Sequence, residues 1–185
     1  MTKTVSVTDG VEALKQGQVI AYPTEAVFGL GCDPWNADAV IALLDLKRRS
    51  IEKGLILVAS SFDQVESLLE PLSEKAQASI FPTWPGPVTW LCPARSDVPR
   101  CLTGNHQTLA VRVSAHPVVK ALCEAYEGPI VSTSANISNH PAARTASDVV
   151  IQFHEQVSVI VEGECGDSDS PTVIRDAVTG DYIRH

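Results

Sequence analysis

Apolar positions along this chain recur in two rhythms. Runs of strand length stand at QVIAY (18–22), GLILVAS (54–60), VTWLCP (88–93), TLAVRVS (108–114), GPIVSTSA (128–135) and VSVIVEG (157–163). TVIRD (172–176) and DYIRH (181–185) close the chain in the same manner. The unbroken GLILVAS predicts a strand covered on both faces, since such a strand needs no polar side. The second rhythm is helical. NADAVIALLDLKRR (36–49) places Val40, Leu43, Leu44 and Lys47 at i, i+3, i+4 and i+7, on one face of a helix that Asn36 can cap.

Other helices follow from caps and breakers. Thr8 is a candidate cap for a first helix carrying Val11 and Leu14 on one face, with Gly17 as its stop. FDQVESLLE and SEKAQASIF predict two short helical stretches. In HPVVKALCEAY, Pro117 falls near a first helical turn, where its missing N–H costs little. Thr145 and Asp148 form a capping-box-like start for TASDVVIQFHEQ. Strands and helices intersperse from end to end, without repeat, low-complexity tract or Gly/Ser-rich linker. The expected class is therefore α/β or mixed α+β, in a single domain over residues 1–185.

Composition narrows the function. At 44% hydrophobic and 19% charged, the chain is expected to fold around a substantial core. The net charge of −8 disfavours a broad electrostatic surface for nucleic acid. Cysteines stand at 32, 92, 101, 123 and 165, an odd and scattered set without CxxC, so reduced thiols in a cytoplasmic protein are expected. The N-terminal segment lacks an apolar core of signal-peptide length, and no run approaches the ~18 apolar residues of a membrane span.

Familiar catalytic signatures are missing: there is no GxxxxGK[ST], GxGxxG, HExxH or GxSxG. The histidines at 106, 116, 140, 154 and 185 have no metal-ligand spacing, and no metal ligands are expected. Asn136-Ile137-Ser138 matches a glycosylation sequon in form only.

Six segments carry chemistry. In AYPTEAVFGLGCDP (21–34), Thr24 and Glu25 interrupt an apolar run, and Gly29 and Gly31 then let the backbone turn or pass close to a neighbour. LDLKRRSIEKGLIL (44–57) gathers Lys47, Arg48, Arg49 and Lys53, which serve either a helix C-terminal dipole or a phosphate or carboxylate ligand. GPIVSTSANIS (128–138) clusters Ser132, Thr133, Ser134 and Asn136 where a buried strand ends, as a self-satisfied turn or a ligand site. WPGPVTWLCP (84–93) combines rigid turn chemistry with Thr89 and Trp90. In LAVRVS, Arg112 interrupts an apolar strand and must find a partner, either Glu25 or Asp33 in an ion pair or a substrate anion. The polar loop SDSPTVIRD (168–176) and Arg184 complete the set. Several cations and hydroxyl clusters without a covalent-catalysis dyad describe a site that binds anionic substrates and aligns them.

PTEAVFGLGCD, LKRRSIEKGLIL, WPGPVTWL, LAVRV, STSANIS and PTVIRD, in this order and spacing, resemble the YrdC-like family and, within it, short single-domain bacterial threonylcarbamoyl-AMP synthases. The likeness runs from about residue 18 to residue 184. It implies a twisted mixed sheet with flanking helices around a large, positively lined cavity. It also implies a nucleotidyltransferase reaction, in which L-threonine, bicarbonate or CO2, and ATP give threonylcarbamoyl-AMP and pyrophosphate. Mg2+ would be bound mainly through the ATP phosphates. The product would serve N6-threonylcarbamoylation of adenosine 37 in tRNAs reading codons that begin with A, through separate tRNA-transfer proteins.

Family positions fall on this sequence one by one. The K-x-R motif matches Lys47 and Arg49, the catalytic pair by this resemblance, and S-x-N matches Ser134 and Asn136. Threonine and bicarbonate would be held by Thr24, Lys53 and Arg112. The nucleotide would be held by Lys47, Arg49, Ser132, Ser134, Asn136, Thr172 and Arg184. Where many relatives have proline after K-x-R, KPL before the strand and a late P-S-T, this chain has Ser50, Lys53-Gly54-Leu55 and Pro171-Thr172-Val173. The alternative function is a double-stranded-RNA-binding or ribosome-maturation factor, with the basic cluster on phosphate backbones; the acidic net charge weighs against it.

Overall fold

The apolar runs become strands of one mixed sheet, and the amphipathic segments between them become the helices that cover it. The computed structural model describes residues 2–157, 159–168 and 172–184. Its strands are β1 (Lys3–Val5), β2 (Ile20–Pro23), β3 (Phe28–Gly31), β4 (Ile56–Ala59), β5 (Val88–Pro93), β6 (Thr108–Val113), β7 (Ile130–Ser134), β8 (Val159–Val161), β9 (Val173–Asp176) and β10 (Tyr182–Arg184). Its helices are α1 (Val7–Lys15), α2 (Ala37–Lys47), α3 (Asp63–Glu66), α4 (Glu74–Ile80), α5 (Arg100–Thr103), α6 (Pro117–Tyr126) and α7 (Ala146–Phe153). Across the sheet the strands run β1-β8-β2-β3-β7-β4-β6-β5-β9-β10. β1–β8, β8–β2, β4–β6 and β5–β9 are parallel; β2–β3, β3–β7, β7–β4, β6–β5 and β9–β10 are antiparallel. This is the twisted mixed α/β sheet with flanking helices that the sequence implies.

Strand alternation splits the core in two. Ile20 and Tyr22 of β2 and Val58 of β4 pack with Val11 and Leu14 of α1 and Leu122 of α6 on one face. Ala21, Leu57 and Ala59 point the other way, toward Val40, Leu43 and Leu44 of α2, Ile80 of α4 and Phe153 of α7. Each such fully buried aliphatic or aromatic side chain contributes about 1.5–3 kcal/mol relative to an exposed one. Cys32, Cys92 and Cys123 belong to this core as free thiols, and burial pushes Cys92 and Cys123 up to about 12.

Local signals set most boundaries. Asn36 Oδ1 accepts the Ala39 N–H at the start of α2. Thr145 and Asp148 make a reciprocal capping box on α7, and Pro117 occupies the first turn of α6. The first helix differs from expectation: Ser6, not Thr8, caps it, and Thr8 lies within its first turn. FDQVESLLE forms only the four-residue α3. Gly29 and Gly31 sit inside strand β3; the chain reverses earlier, across Thr24–Val27, where Val27 O accepts the Thr24 N–H at 3.1 Å. Close approach does require Gly31, because a Cβ there would lie 2.7 Å from Tyr22 Cε1 and closer still to Val131 O. WPGPVTWLCP is structural: Thr89 and Trp90 are fully buried, and Trp90 Nε1 donates to Thr83 Oγ1 at 3.0 Å. Within the predicted segments, Ser158, Asp169–Pro171 and His185 lie outside the described residues.

Candidate active site

The β2–β3 reversal forms the first wall. Thr24 is buried, and its hydroxyl donates to Val27 O at 2.7 Å, which leaves the oxygen lone pairs as acceptors. The adjacent Glu25 side chain turns away from the turn and receives the Ser114 hydroxyl at 2.6 Å.

The end of α2 supplies the second wall. Arg48 adopts a left-handed conformation (φ 50), so the Arg48 N–H reaches Asp45 O and the Arg49 N–H reaches Leu44 O, a Schellman closure without glycine. That reversal sends the two flanking side chains on different courses. Lys47 continues the buried face of α2, where its ammonium donates to Asn136 O at 2.8 Å, to Asn136 Oδ1 at 3.3 Å and to Ser134 O. Burial, and then the neighbouring Arg49, bring its pKa down to about 8. Arg49 Nη2 donates to Gly54 O at 3.1 Å, while its buried Nε has no partner among the described residues.

The end of β7 and the following loop form the third wall. Asn136 is its hub: Oδ1 accepts from Ser134 Oγ at 2.6 Å as well as from Lys47, and Nδ2 donates to Ile137 O and His140 O. The Ser138 N–H and hydroxyl both donate back to Lys47 O. The cluster is thus a closed turn in itself, yet Ser132, Ser134 and Asn136 also line the cavity.

Arg112 of β6 is 4% exposed and resolves the choice that the sequence leaves open: its ion-pair partner is Glu25, with Nη2 3.5 Å from Oε2. Asp33 Oδ1 instead accepts the Trp35 N–H at 2.8 Å. Arg112 Nη1 donates to Thr172 Oγ1 at 3.0 Å, and Arg184 Nη2 donates to Thr172 O at 2.9 Å. Burial, then the charges of Arg112 and Arg49, hold the Arg184 guanidinium below its usual range.

The walls enclose a cavity of about 540 Å³. Arg49, Lys53, Arg112 and Arg184 line it, and among the described residues no Asp or Glu does. Thr24, Ser132, Ser134, Asn136 and Thr172 add hydroxyl and amide groups. Every site residue expected from the sequence therefore lines one space, except Lys47, which stands behind the wall that it holds.

A family model described as Telomere recombination, covering Sua5, YciO and YrdC proteins, matches residues 12–185. The chain belongs to the Sua5/YciO/YrdC family. Among curated members it is 51% identical to the threonylcarbamoyl-AMP synthase of Coxiella burnetii (strain RSA 493) over 98% of this chain and 97% of that protein. It is likewise 51% identical to that of Klebsiella pneumoniae over 97% and 95%. Among solved structures it resembles P. abyssi Sua5 complexed with L-threonine, with TM-score 0.86 and 33% identity over 92% of this chain. This chain spans about half the length of that protein, 50%. E. coli YciO shares the fold end to end, with TM-score 0.84 at 21% identity over 100% of this chain and 98% of YciO.

Two cavity residues of this family member escape a reading of its sequence. His106 and His140 both line the space. His106 sits in the TGNHQ loop ahead of β6, and His140 lies four residues past Asn136. Loops carry no periodicity to show where they face; the nearest signal is the link from His140 to Asn136.

Proposed function

We propose that this chain is a threonylcarbamoyl-AMP synthase, a nucleotidyltransferase that joins L-threonine, bicarbonate and ATP into threonylcarbamoyl-AMP with release of pyrophosphate. One observation carries this reading: a cavity of substrate size holds four cationic side chains and, among the described residues, no lining carboxylate. Such a wall stores repulsion that anionic ligands relieve, and ATP and a carbamate are such ligands. The names of the curated relatives and the L-threonine in P. abyssi Sua5 support the same activity.

The chemistry needs alignment and charge neutralisation, with no protein nucleophile. The threonine amine loses a proton to solvent and attacks the carbon of CO2 released from bicarbonate, forming the N–C bond of a carbamate. A carbamate oxygen then bonds to the α-phosphorus of ATP, and the bond to the bridging oxygen breaks as pyrophosphate leaves. Thr24, Lys53 and Arg112 hold threonine and its carboxylate; Arg49, Ser132, Ser134, Asn136, Thr172 and Arg184 hold the nucleotide. Arg49 meets charge growing on the phosphates, and Lys47 keeps the Ser134–Asn136 loop in place. Holding these groups together replaces a bimolecular encounter with an intramolecular one.

No group of three or more His, Cys, Asp or Glu placed to hold a metal occurs among the described residues. Mg2+ accompanying ATP would therefore be carried by the nucleotide's own phosphates. The product is a reactive carbamic–phosphoric anhydride, suited to transfer by separate proteins to the N6 of adenosine 37 in tRNA, in the cytoplasm. No helix of the described residues is long and apolar enough to cross a membrane. RNA binding is the weaker reading, because four of the fourteen lysines and arginines line the cavity on a chain of net charge −8. Purified protein is expected to release pyrophosphate only when threonine, bicarbonate, ATP and Mg2+ are all present; equal release without threonine would refute the assignment.

A further inference from the structure

Glu25 stands behind the cavity wall, where it is held from several sides. Ser114, fully buried, donates its hydroxyl to Glu25 Oε1 at 2.6 Å and accepts the His116 N–H at 3.1 Å. The Glu25 carbonyl accepts the Ser168 N–H at 3.2 Å, and the neighbouring Thr24 carbonyl accepts the Gly166 N–H at 2.9 Å. So anchored, its free oxygen, Oε2, lies 3.5 Å from Arg112 Nη2, with the two side chains only 12% and 5% exposed. Oε2 has no hydrogen bond among the described residues.

Arg112 needs such a partner. Its guanidinium is buried beside Arg184, which shares Thr172 with it, and the two like charges repel each other. Among the described residues Glu25 is the carboxylate ion-paired with it, and it approaches from outside the cavity lining. The pairing occupies one edge of the guanidinium and leaves others: Nη1 reaches Thr172, and the buried Nε has no partner among the described residues.

We propose that Glu25 is a positioning residue that fixes the Arg112 guanidinium for the carboxylate of the amino-acid substrate. This rests on the assignment of Arg112 to the threonine carboxylate made above. Two effects of Glu25 oppose each other. Its charge weakens the attraction of Arg112 for a carboxylate, and its fixed position saves the arginine from being buried uncompensated and displaced by its neighbours. The second prevails, because a lone buried charge costs more than the partial screening of one attraction. The anchored, loose pair also restrains the guanidinium without consuming a strong hydrogen bond.

Steady-state kinetics of Glu25→Gln, Ser114→Ala and Arg112→Ala test this, with thermal melting to establish that each variant is folded. Glu25→Gln is expected to raise the KM for threonine about tenfold while the KM for ATP and kcat at saturating threonine stay within about twofold. Ser114→Ala keeps the charge but frees the carboxylate, so its rise in threonine KM is smaller and in the same direction. General damage to the fold would move both KM values and does not give this split; equal changes in both would overturn the proposal. If Arg112→Ala raises the threonine KM but Glu25→Gln lowers it or leaves it alone, the positioning role fails and the assignment of Arg112 stands. If Arg112→Ala leaves the threonine KM unchanged, both fail. Should Glu25→Gln not fold, Ser114→Ala decides: an unchanged threonine KM overturns the proposal.

Discussion

Lys47 and Arg49 are two residues apart, both withdrawn from solvent, and in opposite conditions. The Lys47 ammonium has three protein acceptors, in Ser134 and Asn136, and does not line the cavity. Arg49 spends one N–H on Gly54 O, keeps an unpartnered buried Nε and lines the cavity. One cation is used up in holding a loop, and the other is left with capacity for a ligand. Counting donors, rather than charges, separates the residue that shapes the site from the residue that meets its contents. Arg112 falls between them, restrained by Glu25 and still partly free.

The largest test of this contrast is Arg49→Ala. Removing a donor aimed at developing negative charge is expected to lower kcat by about 10²–10³, with melting temperature little changed. Wild-type turnover would make Arg49 a helix-end ornament and erase the distinction from Lys47.

Lys47 gives an effect of opposite sign in two observables. Its pKa lies at about 8 in the folded protein against 10.5 as the ordinary value, so between these pH values the unfolded chain binds more protons. Stability of the wild type relative to Lys47→Met therefore rises from about pH 8 to 10.5, by roughly 3 kcal/mol at most. Turnover falls over the same window, because the neutral amine holds the Ser134–Asn136 loop less firmly. Denaturant melts and pyrophosphate release across pH 7–10 read both; parallel changes would mean that Lys47 is only a structural residue.

The smallest effect sharpens the boundary between them. Arg48 holds a left-handed backbone conformation that glycine adopts freely, so Arg48→Gly is expected to stabilise the protein by about 1 kcal/mol. Its exposed side chain lies outside the cavity, and turnover should not change.

Much of this was legible in the residues, for physical reasons. Lys47 fell on the same helical face as Val40, Leu43 and Leu44, and the structure buries it there. Thr24 and Arg112 stood out because each breaks an apolar strand, and both line the cavity. VTWLCP became β5 without a residue gained or lost, because a proline-rich turn limits one end and Pro93 the other. Other features lacked a local cause. Strand β1 is three residues long and depends on pairing with β8, more than 150 positions away, so no nearby pattern announces it. FGLG forms β3 through pairing with β2 and β7 despite two glycines that disfavour a strand. α5 spans one turn, too short to show a period. That Arg112 pairs with Glu25 and not Asp33 depended on the β2–β3 reversal, which only tertiary packing fixes.

The product expected of this cavity is a carbamoylated threonine adenylate. Mass spectrometry of a reaction supplied with 13C-bicarbonate, threonine, ATP and Mg2+ tests it most directly. The wild type is expected to give threonylcarbamoyl-AMP carrying one 13C, and Arg49→Ala to lose that product together with pyrophosphate release. AMP and pyrophosphate without a labelled carbamoyl product, or undiminished labelled product from Arg49→Ala, would contradict it.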